Sequence, residues 1–229
     1  MALRLGACGA RVAVNYAASR EKAESLCQAI SSAGGQAAAF AADVRDDAQV
    51  KSLVRDVEHK LGPIDILVIN ATGPQPFLSV EETTWQACLD QLEFFVKSPL
   101  LLLQCVVGGM KQRRHGRIIN IGSEVFEKGV PRFANYVSAK GAQLGLTRSW
   151  AMELAPWGIT VNLVAPGWIP TERHADDPPQ SKEAYAASVP LGHMGEADDV
   201  AACVAFLASD DGKFITGQKI SVNGGNSLE

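Results

Sequence analysis

The sequence is poor in the features that mark several large classes of protein. Its five cysteines, at 8, 27, 88, 105 and 203, are odd in number and lack any C-x-x-C spacing. That pattern excludes a disulfide framework and a zinc ribbon, and it predicts reduced thiols in the cytoplasm. The four histidines, at 59, 115, 174 and 193, show no metal-ligand spacing, so no metal is expected. There is no basic excess: 21 lysines and arginines face 25 acids, for a net charge of −4. A nucleic-acid-binding surface would need the opposite sign. No apolar run reaches the roughly 18 residues of a membrane span. The longest, Pro99 to Val107, is broken by Gln104 and flanked by Lys97 and Lys111. The opening Met-Ala-Leu-Arg-Leu-Gly-Ala-Cys-Gly has no signal-peptide core.

What is present is an ordinary globular composition of 47% hydrophobic and 20% charged residues over 229 positions. That length suits one α/β domain spanning 1–229 and can bury a full core. Apolar, β-branched runs at Arg11–Asn15, Ala37–Ala42, Ile64–Ile69, Arg117–Ile121, Ile159–Val164 and Lys219–Val222 predict strands. Between them, helical spacing predicts helices over Arg20–Ser32, Asp47–Leu61, Trp85–Lys111, about Pro131 or Asn135 to Leu154, and Asp198–Ala208. Strands apolar throughout, each separated by a helix, indicate a doubly wound parallel sheet with helices on both faces. Ligands of such sheets bind beyond the carboxyl ends of the strands, where Asp43, Asn70, Ser123 and Pro166-Gly167 fall.

Three residues there carry chemistry. Tyr136 and Lys140 stand four apart and so share one helix face. An ammonium beside a phenol stabilises the phenolate and draws its pKa down from about 10 towards a useful value for proton transfer. Ser123, just past the run ending at Ile121, is placed to hydrogen-bond the same reacting oxygen. The spacing alone is weak, because with three tyrosines a chance Y-x-x-x-K is common and often only a surface pair.

Ordered fragments add specificity: Asp43-Val44, Asn70-Ala-Thr-Gly73, Ile118-Ile-Asn-Ile-Gly-Ser123, Tyr136-Val-Ser-Ala-Lys140, Val161-Asn-Leu-Val-Ala-Pro-Gly167, Val189-Pro-Leu-Gly-His-Met-Gly195 and Ile215-Thr-Gly-Gln218 with Val222-Asn-Gly-Gly225. From residue 1 to about 226 the chain resembles the short-chain dehydrogenase/reductase family, of the 3-oxoacyl-carrier-protein reductase type. The resemblance implies a Rossmann-type fold and a homodimer or homotetramer. It also implies a small carbonyl or alcohol substrate, with Tyr136 as general acid and base and Ser123 on the substrate oxygen. Lys140 would bind the nicotinamide ribose. Asp43 and Val44 would contact adenine, and Asn70, Ala71 and Gly73 would lie along the adenosine side. Pro166, Gly167, Ile169 and Thr171 would line the nicotinamide pocket. After the Arg11–Asn15 strand no carboxylate awaits a ribose 2′-hydroxyl, whereas Ser19 and Arg20 suit a 2′-phosphate, so NADP is expected over NAD. Against that, Ser19 would simply cap its helix and Arg20 would be solvated.

Two departures stand out. The resemblance implies a first strand and a T-G-x-x-x-G-x-G phosphate loop, but Met1 to Leu5 reads as the helix that would follow them. The first strand would lie between Arg11–Asn15 and Ile64–Ile69, and an upstream start codon is the expectation. Second, the asparagine that relays protons to the lysine falls near Phe95, so slower turnover is expected. The polar, proline-containing stretch 172–182 predicts a mobile lid. Two functions follow. One is an NADP-dependent oxidoreductase interconverting a ketone and a secondary alcohol. The alternative is a non-catalytic truncated member or partner subunit that cannot hold the cofactor pyrophosphate. A direct NADPH titration separates them.

Overall fold

Six strands form where the apolar runs predicted them: β1 (Arg11–Tyr16), β2 (Gln36–Ala41), β3 (Ile66–Ile69), β4 (Gly116–Ile121), β5 (Ile159–Pro166) and β6 (Lys219–Val222). The computed structural model describes residues 1–228, and residue 173 by its backbone alone. Every strand pairing is parallel. β4 is buried at every position and β5 at all but Pro166, which is why both read as unbroken apolar runs. The helices are α1 (Ala2–Ala7), α2 (Arg20–Ser32), α3 (Asp47–Leu61), α4 (Trp85–Leu92), α5 (Ser98–Arg113), α6 (Val125–Lys128), α7 (Ala134–Leu154), α8 (Pro179–Ser188) and α9 (Ala197–Ala208).

The sheet is in two parts. β3-β4-β5-β6 form one ladder and β1-β2 another, with no pairing between β1 and β3 among the described residues. A cleft of about 770 Å³ separates them, floored by Leu53, Val54 and Val57 of α3 and by Leu102 and Val106 of α5. This is the place where the sequence predicted two strands without a common neighbour.

Helix α3 shows what holds these elements together. Asp46 caps it by accepting the Gln49 N–H at 2.9 Å, a bond worth about 1 kcal/mol. Val50, Leu53, Val54, Val57 and Leu61 are buried at helical spacing, against Leu102, Leu103, Val106 and Met110 of α5. At roughly 1.5–3 kcal/mol for each such side chain, packing outweighs the cap several-fold.

One expectation needs correction, and two others gain detail. The helix predicted over Trp85–Lys111 is two helices joined by a π-turn at Glu93–Lys97. Pro99 explains it: it has no N–H to donate, and its ring would meet the carbonyl of residue 95 in a regular helix. The wider turn also carries Phe95 inward, where it is 2% exposed. Taken end to end, Trp85–Arg113 has the length and apolarity of a membrane-crossing helix. Interrupting polar residues hid this from the run-by-run reading, and in the fold its Leu102, Leu103, Val106 and Met110 join the main core. Finally, the stretch 172–182, expected to form a lid, includes regular structure. A 3-10 turn covers Glu172–His174 and α8 begins at Pro179. Pro178-Pro179 reads as a breaker, but proline fits the first turn of a helix.

Candidate functional site

The carboxyl ends of β4 and β5 carry the site. Gly122 turns the chain out of β4, donating its N–H to the Val164 carbonyl at 2.7 Å. A side chain here would collide with Leu163, since a Cβ would lie 2.3 Å from its Cδ2. Ser123 follows directly, with its Oγ accepting the Val125 N–H at 3.4 Å. α7 brings up Tyr136 in its first turn, inside an aromatic column. Phe133 stacks on Tyr136 at 4.7 Å, Phe77 stacks on Phe133 at 4.2 Å, and Phe95 meets Tyr136 edge-on at 5.4 Å.

Lys140 lies one turn on and is 3% exposed. Its Nζ donates to the Ile121 carbonyl at 2.7 Å and to Gln143 Oε1 at 3.2 Å, and it sits 3.7 Å from the centre of the Phe95 ring. Burial pulls the Lys140 pKa down to about 7. The two oxygens and the ring face act in the opposite sense, favouring the ammonium. Phe95 therefore occupies the side of Lys140 where the family resemblance implies a relaying asparagine.

Ser123, Tyr136 and Lys140 share one cavity of about 810 Å³ with Pro166, Gly167, Ile169 and Thr171. The structure thus brings together the expected catalytic trio and the expected nicotinamide-end residues. Gly167 is required by crowding, because a Cβ would approach the Tyr185 hydroxyl to 2.5 Å. The expected adenosine-end residues are more scattered. Asn70 borders both this cavity and the cleft between β1 and β3, while Val44 and Ala71 border the cleft alone. Val44 is also part of the main core.

Ser19, Arg20, Asp43 and Gly73 line neither cavity. Ser19 takes the N-cap position of α2 but makes no capping hydrogen bond, so its hydroxyl is not spent on the helix. Arg20 bonds its neighbour Glu24 at 2.7 Å on the surface. Such an exposed pair is worth little and can be exchanged for a phosphate. Asp43 is gripped by Arg45 at 2.6 Å, whose side-chain hydrogen bond holds the carboxyl below its usual range. Gly73 is packed under Phe94, 2.3 Å from where a Cβ would stand.

Sequence reasoning missed Phe133, Gln143 and Tyr185. The first two had a signal: each is three residues from a chosen one and so lies on the same face of α7. Tyr185 had none, being 61 residues from its partner Glu124.

Known proteins resemble the chain over nearly its whole length. The family model described as enoyl-(acyl carrier protein) reductase matches residues 1–227. A 3-oxoacyl-[acyl-carrier-protein] reductase FabG from Staphylococcus aureus is 41% identical over 227 residues, covering 98% of this chain and 91% of the relative. The Pseudomonas aeruginosa FabG is 36% identical, covering 98% and 90%. Among solved structures, a doubly substituted short-chain dehydrogenase/reductase from Serratia marcescens superposes with a TM-score of 0.90 at 34% identity, covering 99% of this chain and 91% of that one. A blue fluorescent protein from a metagenomic library, solved in complex with NADPH, gives 0.88 at 37% identity, covering 98% and 91%. By sequence and by fold alike, the chain belongs to the short-chain dehydrogenase/reductase family, among the relatives of FabG.

Proposed function

We propose that the chain is an NADP-dependent oxidoreductase that interconverts a ketone and a secondary alcohol, with Tyr136 as general acid and base. The observation that carries this reading is the shared cavity, which joins Ser123, Tyr136 and Lys140 to Pro166, Gly167, Ile169 and Thr171. The nicotinamide end fits these residues: Gly167 leaves the backbone bare, and Ile169 and Thr171 follow it along the cavity wall. When bound, the dinucleotide supplies or accepts the hydride. Ser123 Oγ hydrogen-bonds the substrate oxygen, and Tyr136 Oη gives that oxygen its proton in reduction and takes it back in oxidation. Lys140 acts as a nearby charge that favours the phenolate, buried where Coulomb effects are strong.

The uncommitted Ser19 hydroxyl and exposed Arg20 support NADP over NAD, with the NADPH-bound relative pointing the same way. The five free cysteines suit a reducing compartment such as the cytoplasm. Exposed Trp85, Leu100, Met152 and Trp157 on and around α4, α5 and α7 suit a homodimer or homotetramer interface. The decisive experiment is a direct titration with NADPH and NADH, followed by kcat/KM with each. Tighter binding and higher efficiency with NADPH are expected, and a clear NADH preference overturns the cofactor assignment. Failure to bind either favours the non-catalytic alternative for this chain.

A further inference from the structure

Glu124 directly follows Ser123, and its side chain is 5% exposed with Lys128 no nearer than 3.9 Å. A carboxylate so deeply buried is costly unless hydrogen bonds satisfy it. Here Oε1 accepts from Tyr185 Oη at 2.7 Å and from Asn226 Nδ2 at 3.1 Å, and Oε2 accepts from Asn223 Nδ2 at 3.0 Å. Both oxygens are thus held by donors of the protein itself, which fixes the carboxylate in place at the edge of the cavity.

Tyr185 is the unusual partner. It belongs to α8, none of whose residues is buried. Its hydroxyl donates to Glu124 and also accepts the backbone N–H of Trp168 at 2.7 Å. One hydroxyl therefore ties α8 to the residue after Ser123 and to the residue after Gly167. The Tyr185 ring meets Trp168 edge-on at 5.4 Å. Burial pushes the Tyr185 phenol up to about 12, so it remains a donor at any ordinary pH. From the same segment, Asp177, Pro178 and Ser181 line the catalytic cavity. A further tie on this segment, Lys22 to Glu172, is an exposed pair and contributes little.

We propose that Glu124 and Tyr185 form a buried clasp that closes α8 over the substrate cavity, Glu124 being a positioning residue that acts through Tyr185 rather than on the reacting atoms. The proposal rests on that cavity being the substrate site. It makes substrate entry and the setting of the Ser123 and Gly167 turns parts of one opening event. Releasing α8 frees one wall of the cavity and loosens both turns together.

The test uses Tyr185→Phe, which removes only the hydroxyl, Glu124→Gln, and the double variant. Losing a hydrogen bond to a charged group should raise the open population by about 10- to 100-fold. Trypsin cleavage after Lys182 should accelerate by a similar factor in Tyr185→Phe, with Tm lowered by only about 3–10 °C. KM for the carbonyl substrate should rise as the closed fraction falls, by about twofold where half of the molecules are open, while the NADPH dissociation constant stays unchanged. The double variant should be no worse than the worse single one, because both break one link. Unchanged cleavage after Lys182, or fully additive effects, overturns the clasp. If Glu124→Gln fails to fold, Tyr185→Phe decides alone, since it leaves the carboxylate and both asparagine bonds in place. The proteolysis arm needs no turnover, so a chain that proves inactive refutes the oxidoreductase reading without touching this result.

Discussion

Replacing Phe95 with leucine tests the arrangement around Lys140. The lysine Nζ lies 3.7 Å from the ring centre, and Phe95 is 2% exposed. A cation over a desolvated aromatic face gains about 2 kcal/mol, so the ring supports the charged form against burial. Without it, the Lys140 pKa should fall from about 7 by roughly 1.5 units, at 1.36 kcal/mol per unit. The sign for stability follows from proton counting. Lys140 has a lower pKa folded than unfolded, so the unfolded chain holds the extra proton between about 7 and the ordinary value of 10.5. Stability therefore rises with pH across that window, and the penalty is fully present below it.

Phe95→Leu extends the window downwards. Its cost should comprise a pH-independent packing loss of roughly 1 kcal/mol and a cation loss seen only where the wild-type lysine is charged. Urea unfolding should show the second part as about 1 kcal/mol extra at pH 6, vanishing by pH 9. Lysine 13Cε chemical shifts should record the displaced titration without any need for activity. A wild-type Lys140 that titrates near 10, or a destabilisation identical at both pH values, refutes the reasoning.

Two further substitutions probe other parts of the molecule. Phe95→Asn should raise kcat despite a loss of about 3 kcal/mol in stability, if the missing asparagine limits proton relay; an unchanged or lower kcat in steady-state assays counts against that alignment. Asp46→Ala removes the α3 cap and should cost about 1 kcal/mol in urea unfolding, and a change beyond twice that would mean Asp46 does more than accept the Gln49 N–H.

The strands and the juxtaposition of Ser123, Tyr136 and Lys140 were legible because their determinants are local. β4 and β5 are buried nearly throughout, so no polar face confuses the period, and the helical turn alone joins Tyr136 to Lys140. What remained illegible depends on distant partners. The π-turn that aims Phe95 at Lys140 is a response to Pro99, and nothing near Lys140 announces it. α8 was hidden because Pro178-Pro179 signals both a break and a helix start. The burial of Glu124 depends on Tyr185, Asn223 and Asn226, 61 to 102 residues further on. The sequence places Glu124 next to Ser123, but nothing near it announces these donors.

The gap between β1 and β3 has a consequence for cooperativity. A parallel sheet ordinarily unfolds as one unit because each ladder transmits strain to the next. Among the described residues, the β1–β2 ribbon, with α2 packed on it, has no ladder to the other four strands and meets them across the helix-floored cleft. That ribbon is thus a candidate foldon, able to open while β3–β6 and the Ser123–Tyr136–Lys140 cluster stay closed. Amide exchange would register it as a separate, lower protection step. The proton-transfer chemistry would then sit on the slow-exchanging body, and the Ser19–Arg20 end on the fast one.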